Sequence, residues 1–208
     1  MIYFWILIFK VYFFIKIKEM FKIVLCLLLI LSTNSEAIKG VQYLKGINEK
    51  NTESDTKKYV TSSDSKCNFN NKVIKSKAQQ LTKGLKTDLE KAKALFKFVR
   101  DNIKYKYYNS SQKGAALTLK SGLANCSDQT NLLVALCRAS GIPIKYIHGL
   151  NCYFFISKHT YGHVWAQILI DNVWYAADTT SSSNTLGFIK NWNVKKYSLA
   201  SKSALLSF

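Results

Sequence analysis

Two runs of alternating side chains, His163–Ile170 and Val173–Asp178, meet across Asp171-Asn172, and that dipeptide restricts the fold more than any other stretch. Asp and Asn tolerate the left-handed backbone that a two-residue hairpin turn requires, so the runs read as paired antiparallel strands. With Ile170 opposite Val173, Trp165 falls opposite Asp178 and His163 opposite Thr180. Side chains alternate along a strand, so these four residues share one face of the sheet. His163 and Asp178 become diagonal neighbours, about 7–8 Å apart at the backbone, a gap that side chains can bridge. A turn one residue longer would put them on opposite faces.

The pattern before the hairpin is helical. Val73, Ile74, Ala78 and Leu81 mark a short helix closed by Gly84. Thr87-Asp88-Leu89-Glu90 is a capping box, and the helix it opens runs to about Ile103, burying Leu89, Ala92, Leu95, Phe96, Val99 and Ile103. A loop from Gly114 to Ala124 follows. The next helix, Ser127–Ser140, carries the stripe Leu132, Leu133, Leu136 and Ala139. Gly141 ends it, and the chain's single proline, Pro143, prevents it from resuming. Strands are then expected over Ile144–His148, Cys152–Ile156 and the two hairpin runs, with a fifth around Gly187–Ile189. The class is α+β, helices packed on an antiparallel sheet.

Cys126 stands where the third of these helices begins. A thiol is a useful nucleophile only as thiolate, so it needs a base, and the base needs an acceptor to orient it. His163 and Asp178 supply that pair. The N–H of Cys126 is free of intrahelical bonding and suits a developing oxyanion. Tyr108 and Asn109, in the cluster that includes Tyr105 and Tyr107, are candidates for a side-chain donor to the same oxygen. Trp165, sharing the face of His163, is a candidate wall of the substrate groove. Asp128 is expected to cap its own helix, and Cys137 to be core. A metal centre would need a fourth ligand beside Cys126, His163 and Asp178, from His148 or His159, and would sacrifice the base–acid pairing. The expectation is therefore no metal and no cofactor.

The first 37 residues differ from the rest of the 208. Met1–Ile15 is apolar apart from Lys10. Lys16, Lys18 and Lys22 follow, then the run Ile23–Leu31 and the small-x-small sequence Ser35-Glu36-Ala37. This reads as a signal peptide whose true start is Met20, or as an N-terminal membrane anchor using both apolar runs. Either reading places the remainder outside the cell, secreted or at the surface. Residues 38–66 are polar and read as a linker, and 67–208 as the catalytic domain. With Lys10, Lys16, Lys18, Lys22, Glu19 and Glu36 set aside, 26 basic and 10 acidic residues remain. Such a surface suits an anionic surface polymer. No aromatic–basic RNA motif or zinc-finger spacing is present, so nucleic acid is not an expected partner. Of the five cysteines, Cys26 lies in the leader, and Cys67 could pair with Cys152 in an exported protein.

These residues also resemble a known family. The stretch from about Leu95 to Asn193 is similar to the transglutaminase-like cysteine-peptidase superfamily, nearest to the archaeal branch that contains the pseudomurein endoisopeptidases. The likeness is carried by Val99-Arg100-Asp101-Asn102-Ile103-Lys104-Tyr105, Lys113-Gly114-Ala115 and Asn125-Cys126-Ser127-Asp128. It continues through Leu132–Pro143, Gly162-His163-Val164-Trp165-Ala166, and Trp174 with Asp178. It implies a papain-like core with Cys126 as nucleophile, His163 as general base and acid, and Asp178 as its orienter. Ala124 departs from the family's usual glycine, and Ile144-Lys145 from its usual Ala-Arg. The family's wall-binding repeats are absent. The expected function is a monomeric hydrolase of amide or isopeptide bonds in cell-wall or surface peptides. A cross-linking transglutaminase would use the same triad, and an inactive surface-binding module the same fold.

Overall fold

A computed structural model describes residues 48–194 and 197–200. The expected leader and residues 38–47 of the expected linker lie outside the described residues. Five helices precede the main run of strands: α1 (Lys58–Thr61), α2 (Lys72–Thr82), α3 (Asp88–Asn102), α4 (Gly114–Ser121) and α5 (Cys126–Ala139). Asn71 caps α2 by accepting from Val73 N–H at 2.9 Å. The capping box of α3 forms as read, with Glu90 N–H donating to Thr87 Oγ1 at 3.2 Å and Thr87 N–H to Glu90 Oε2 at 2.9 Å. Ala92, Leu95, Phe96 and Val99 are buried along α3, whereas Leu89 in its first turn is 38% exposed.

Helix α5 is the centre of the domain. Every residue from Cys126 to Arg138 is buried, polar ones included, because α1–α4 surround it on one side and strands β4 and β5 on the other. The apolar stripe read from the sequence is thus only part of its covered surface. Helix α4 replaces the expected Gly114–Ala124 loop. Its start is fixed by a tertiary contact, Gly114 N–H to Asp128 Oδ1 at 2.8 Å. Gly114 itself has φ +69° and lies so close to Lys66 that a Cβ would sit 2.8 Å from the Lys66 carbonyl oxygen.

The strands are β1 (Glu49–Lys50), β2 (Lys104–Tyr105), β3 (Leu123–Ala124), β4 (Ile144–Phe154), β5 (His159–Ile170), β6 (Val173–Ala177), β7 (Trp192–Val194) and β8 (Ser198–Ala200). The main sheet is antiparallel in the order β1-β6-β5-β4-β7, with β8 also on β4. The short β2 and β3 form a separate parallel pair. The hairpin register is the one the two-residue turn demands: Ile170 opposite Val173 and Ala166 opposite Ala177. Asp171 and Asn172 take φ of 48° and 63°.

The two expected strands Ile144–His148 and Cys152–Ile156 are one, β4, interrupted by a register shift between Gly149 and Cys152. A Cβ on Gly149 would meet Cys152 Sγ at 2.7 Å and the Trp165 ring at 3.1 Å, so this bend, directly opposite His163, needs glycine. Gly187–Ile189 is not a strand. It contributes the bridge between Thr185 and Phe188 and a Gly187 N–H bond to Ala176 O on β6 at 2.7 Å.

Residues 48–66, expected as linker, are instead docked on the domain. Tyr59 is buried edge-on to Trp174, ring centroids 5.1 Å apart. The buried Arg138 guanidinium donates to Tyr59 O at 3.0 Å, and Asn48 Oδ1 accepts from Ala176 N–H at 2.7 Å. The physical reason is demand from the core: Arg138 needs acceptors, and the exposed edge of β6 needs a partner. Cys67 and Cys152 do not pair. Cys67 lies in the main core beside Arg138, Cys152 in a second cluster with Trp165 and Trp192, and both thiols are free.

Candidate active site

Cys126 is the first residue of α5 and is 2% exposed. The turn before it is held by Asn125, not by Asp128. Asn125 Oδ1 accepts from Asp128 N–H at 2.9 Å, and its amide donates to the Tyr108 and Ser110 carbonyls, both at 2.8 Å. Asp128, expected to cap its own helix, turns instead to the 108–114 segment. Its carboxylate accepts from Tyr108 Oη (2.7 Å), Ser111 Oγ (2.7 Å) and the N–H groups of Gln112, Lys113 and Gly114 (2.9, 2.9 and 2.8 Å). Burial pushes this carboxyl up, but those donors outweigh it and hold Asp128 below the usual carboxylate range. With Asn131 Nδ2 donating to Oδ1 at 3.3 Å as a sixth, this buried charge is a satisfied one.

His163 and Asp178 meet as the hairpin predicts. His163 Nε2 lies 3.1 Å from Asp178 Oδ2. The residues are 3% and 1% exposed. Trp192 Nε1 and Asn184 Nδ2 donate to the same oxygen at 2.6 and 3.1 Å. Thr180 gives its N–H and hydroxyl to Oδ1 at 2.9 and 2.8 Å. The imidazole packs edge-on against Phe154 and Trp192, at 5.2 and 5.0 Å between centroids, and stacks near-parallel to Trp165 at 6.2 Å.

Burial alone would lower the basicity of His163, but the Asp178 charge, its hydrogen bond and the Cys126 thiol push the pKa up to about 10. Asp178 is drawn oppositely: burial raises it, and His163 and the surrounding donors bring it below its usual value. The favoured state is an imidazolium held by a carboxylate. Because Nε2 faces Asp178, Nδ1 is the nitrogen left for Cys126, which lines the same cleft as the ring.

Cys126 and His163 open into a cleft of about 560 Å³ lined also by Tyr105, Tyr107, Phe154, Tyr161 and Thr180. The three residues singled out around the triad take other places. Trp165 walls no groove: it is fully buried behind His163. Tyr108 directs its hydroxyl to Asp128. Asn109 accepts from the Tyr107 hydroxyl at 2.8 Å on the surface. Trp192, Asn184 and Phe154 were not readable as site residues, since Trp192 reaches Asp178 only through the 178–192 loop. Thr180 alone had a signal, its place on the face of His163. Among the described residues no group of three or more His, Cys, Asp or Glu side chains is placed to hold a metal. No helix there is long and apolar enough to cross a membrane.

Residues 75–179, half the chain and all three of these positions, match the family model of the transglutaminase-like superfamily. The chain belongs to that superfamily. A candidate cysteine protease from Cytophaga hutchinsonii is structurally similar to this transglutaminase-like domain at TM-score 0.51 and 18% identity, over 71% of this chain and 55% of that one. The chain thus spans little more than half of that neighbour, and the likeness speaks to the fold alone. A candidate protease from Parabacteroides distasonis (TM-score 0.44, 15% identity, 73% of this chain and 29% of that one) shares less of its shape. So does the periplasmic domain of TgpA from Pseudomonas aeruginosa (TM-score 0.43, 15% identity, 52% and 42%). A comparison with curated proteins finds no match. The α+β architecture with Cys126 at a helix start agrees with the family's fold.

Proposed function

We propose that this domain is a cysteine hydrolase of amide or isopeptide bonds, working through a thioester on Cys126. The carrying observation is the 3.1 Å His163–Asp178 contact beside a helix-start thiol in one cleft. Cys126 sulfur attacks the carbonyl carbon, the C–S bond forms, and the carbonyl electron pair moves onto oxygen. On collapse the C–N bond breaks and His163 hands a proton to the departing amine. Water then adds to the thioester with His163 as base, releasing acid and thiol. Asp178 keeps the ring oriented throughout without taking the proton.

Exposed Lys104, Lys106, Lys158 and Lys190 each stand next in sequence to a cleft residue, and no acidic residue does. Lysines so placed make the surroundings of the cleft positive, which disfavours a lysine ammonium as acceptor relative to water and so supports hydrolysis over cross-linking. The same basic surface and the apolar leader support a substrate in anionic wall or surface peptides outside the cell, of the kind taken by the pseudomurein endoisopeptidases. Digestion of isolated wall material, with mass analysis of released peptides, tests this reading. New peptide ends made by the wild type and not by Cys126→Ala are expected. Release by both, or iodoacetamide alkylation of Cys126 no faster than that of an ordinary thiol near neutral pH, would remove it.

A further inference from the structure

Exposed apolar side chains are not spread evenly over this domain. Of the eleven large ones among the described residues, six stand on the cleft rim or on the β4–β5 ribbon beside it: Tyr105, Tyr107, Leu150, Tyr153, Ile156 and Tyr161. Ile156 projects furthest, at 91% exposed. It sits in the turn between the two strands, where Lys158 takes φ 60° and its N–H closes on Phe154 O at 2.9 Å. A hydrogen-bonded corner thus holds a large apolar side chain out in water, which marks an interaction surface when others cluster beside it.

Substrate in the cleft would not cover this surface. Ser157 and Tyr161 line the cleft, but Leu150, Tyr153 and Ile156 do not. Tyr153 pairs with Thr160 and points to the side of the ribbon opposite Phe154 and Tyr161, because neighbours along a strand face opposite ways. Apolar groups therefore project from both faces of the ribbon and from its tip, a convex wedge. A rigid protein partner would need a matching slot, whereas lipid closes around any such shape.

Charge says which lipid. No Asp or Glu lies between Asp101 and Asp128, between Asp128 and Asp171, or after Asp178, and these three stretches build the cleft end of the domain. Asp128 and Asp178 are buried, and Asp171 lies at the far end of β5 from the wedge. The same stretches carry the exposed Lys104, Lys106, Lys158 and Lys190. Tyrosine, with an apolar ring and a polar tip, suits the depth of lipid headgroups, and lysine reaches back to their phosphates.

We propose that the turn at 155–158, with the rim tyrosines, docks on an anionic lipid surface and brings the mouth of the cleft against it. No catalytic group takes part, so the inference stands apart from the hydrolase reading. Its consequence for that reading is that the cleft would meet chains held at a membrane.

The full chain, mixed with phosphatidylglycerol vesicles that carry a diazirine on one acyl chain, tests this on illumination. Adducts are mapped by mass analysis of peptides, with residues 1–31 counted apart because that apolar stretch can meet lipid by itself. They are expected on 105–107 and 153–161, and not on Val73 and Leu117, which are exposed elsewhere. Yield at the wedge should fall about 10-fold or more in Ile156→Asn, in Lys158→Gln with Lys190→Gln, and in phosphatidylcholine vesicles. Both variants alter exposed side chains, so their melting should match the wild type. Cys126→Ala should label as the wild type does, which keeps this proposal separable from the hydrolase reading. Absence of adducts at the wedge, or equal adducts in the two lipids, would overturn the proposal. So would a wild-type dimer in sedimentation that Ile156→Asn splits, since a second copy would then cover the wedge.

Discussion

The thiol half and the base half of the cleft are built in opposite ways. Cys126 is positioned by hydrogen bonds: Asn125 and Asp128 gather the 108–114 segment against the first turn of α5 through seven donor–acceptor contacts with that segment. His163 is positioned by register and packing, a two-residue turn and three aromatic rings, with one carboxylate behind it. Each half contains one buried aspartate, and the two do different work. Asp128 satisfies backbone N–H groups and holds structure. Asp178 faces a titrating group and sets its charge. The chemical role of a buried carboxylate follows from what donates to it.

The largest expected effects fall where the halves meet. Cys126→Ala should reduce turnover to background, because no other group in the cleft can form the thioester, and His163→Ala should do the same. Both should keep the fold, since Cys126 is small and His163 fills an aromatic pocket without belonging to the main apolar core. Peptide turnover and thermal melting measured together check this. Unchanged turnover in Cys126→Ala, with loss in Cys137→Ala, would reverse the assignment.

Asp178→Asn comes next, at about 10²–10⁴-fold in kcat, and it should move the pH profile. The raised pKa of His163 means that activity requiring its imidazolium declines as pH climbs towards about 10. Removing the carboxylate charge leaves burial dominant, so the alkaline limb should move to lower pH. The linked stability has the same sign. The stabilisation from His163 is complete below its usual 6.5 and lost as pH rises through about 10. An alkaline limb that stays in place in Asp178→Asn would show that the carboxylate does not set the histidine's charge.

Asp128→Asn should show the converse. The amide brings hydrogens to a site already crowded with donors, at a cost of about 3 kcal/mol, or about 6–12 °C in Tm for a domain of this size. Turnover at low temperature should fall less than about 10-fold, with the alkaline limb where it was. A moved limb would mean that the two aspartates are not separate devices.

The same division decides what could be read from the chain. The base half was legible because strand parity is arithmetic: Asp171-Asn172 fixes the register, and register fixes that His163 and Asp178 share a face. The capping box at Thr87 and the helix start at Cys126 were legible for a similar reason, being local. The thiol half's supports were not. Asp128 sits where a first-turn acid serves its own helix, and nothing in Gln112-Lys113-Gly114 announces three N–H groups turned towards it. Helix α4 was lost with them, since it begins at those same contacts. Trp165 was misplaced because parity gives the face but not the depth: Gly149 and Trp192 close over it, so the residue beside His163 on the strand lies under it in the fold. Residues 48–66 looked too polar to pack, yet what docks them is the polar demand of Arg138 and of an open sheet edge.

The smallest effect should come from Thr180→Val, and it tests whether Asp178 acts by charge or by the number of its hydrogen bonds. The substitution keeps shape and removes one donor, the 2.8 Å hydroxyl contact to Oδ1, while Thr180 N–H still reaches that oxygen at 2.9 Å. One lost hydrogen bond to a charged acceptor costs about 1.5–3 kcal/mol at most, and the remaining donors to Asp178 limit how far the carboxylate can swing. The expected loss in kcat is less than about 10-fold. The alkaline limb should not move, because the negative charge facing His163 is still present. If Thr180→Val shifted the limb as far as Asp178→Asn does, orientation and not charge would govern His163, and the base half would resemble the thiol half after all.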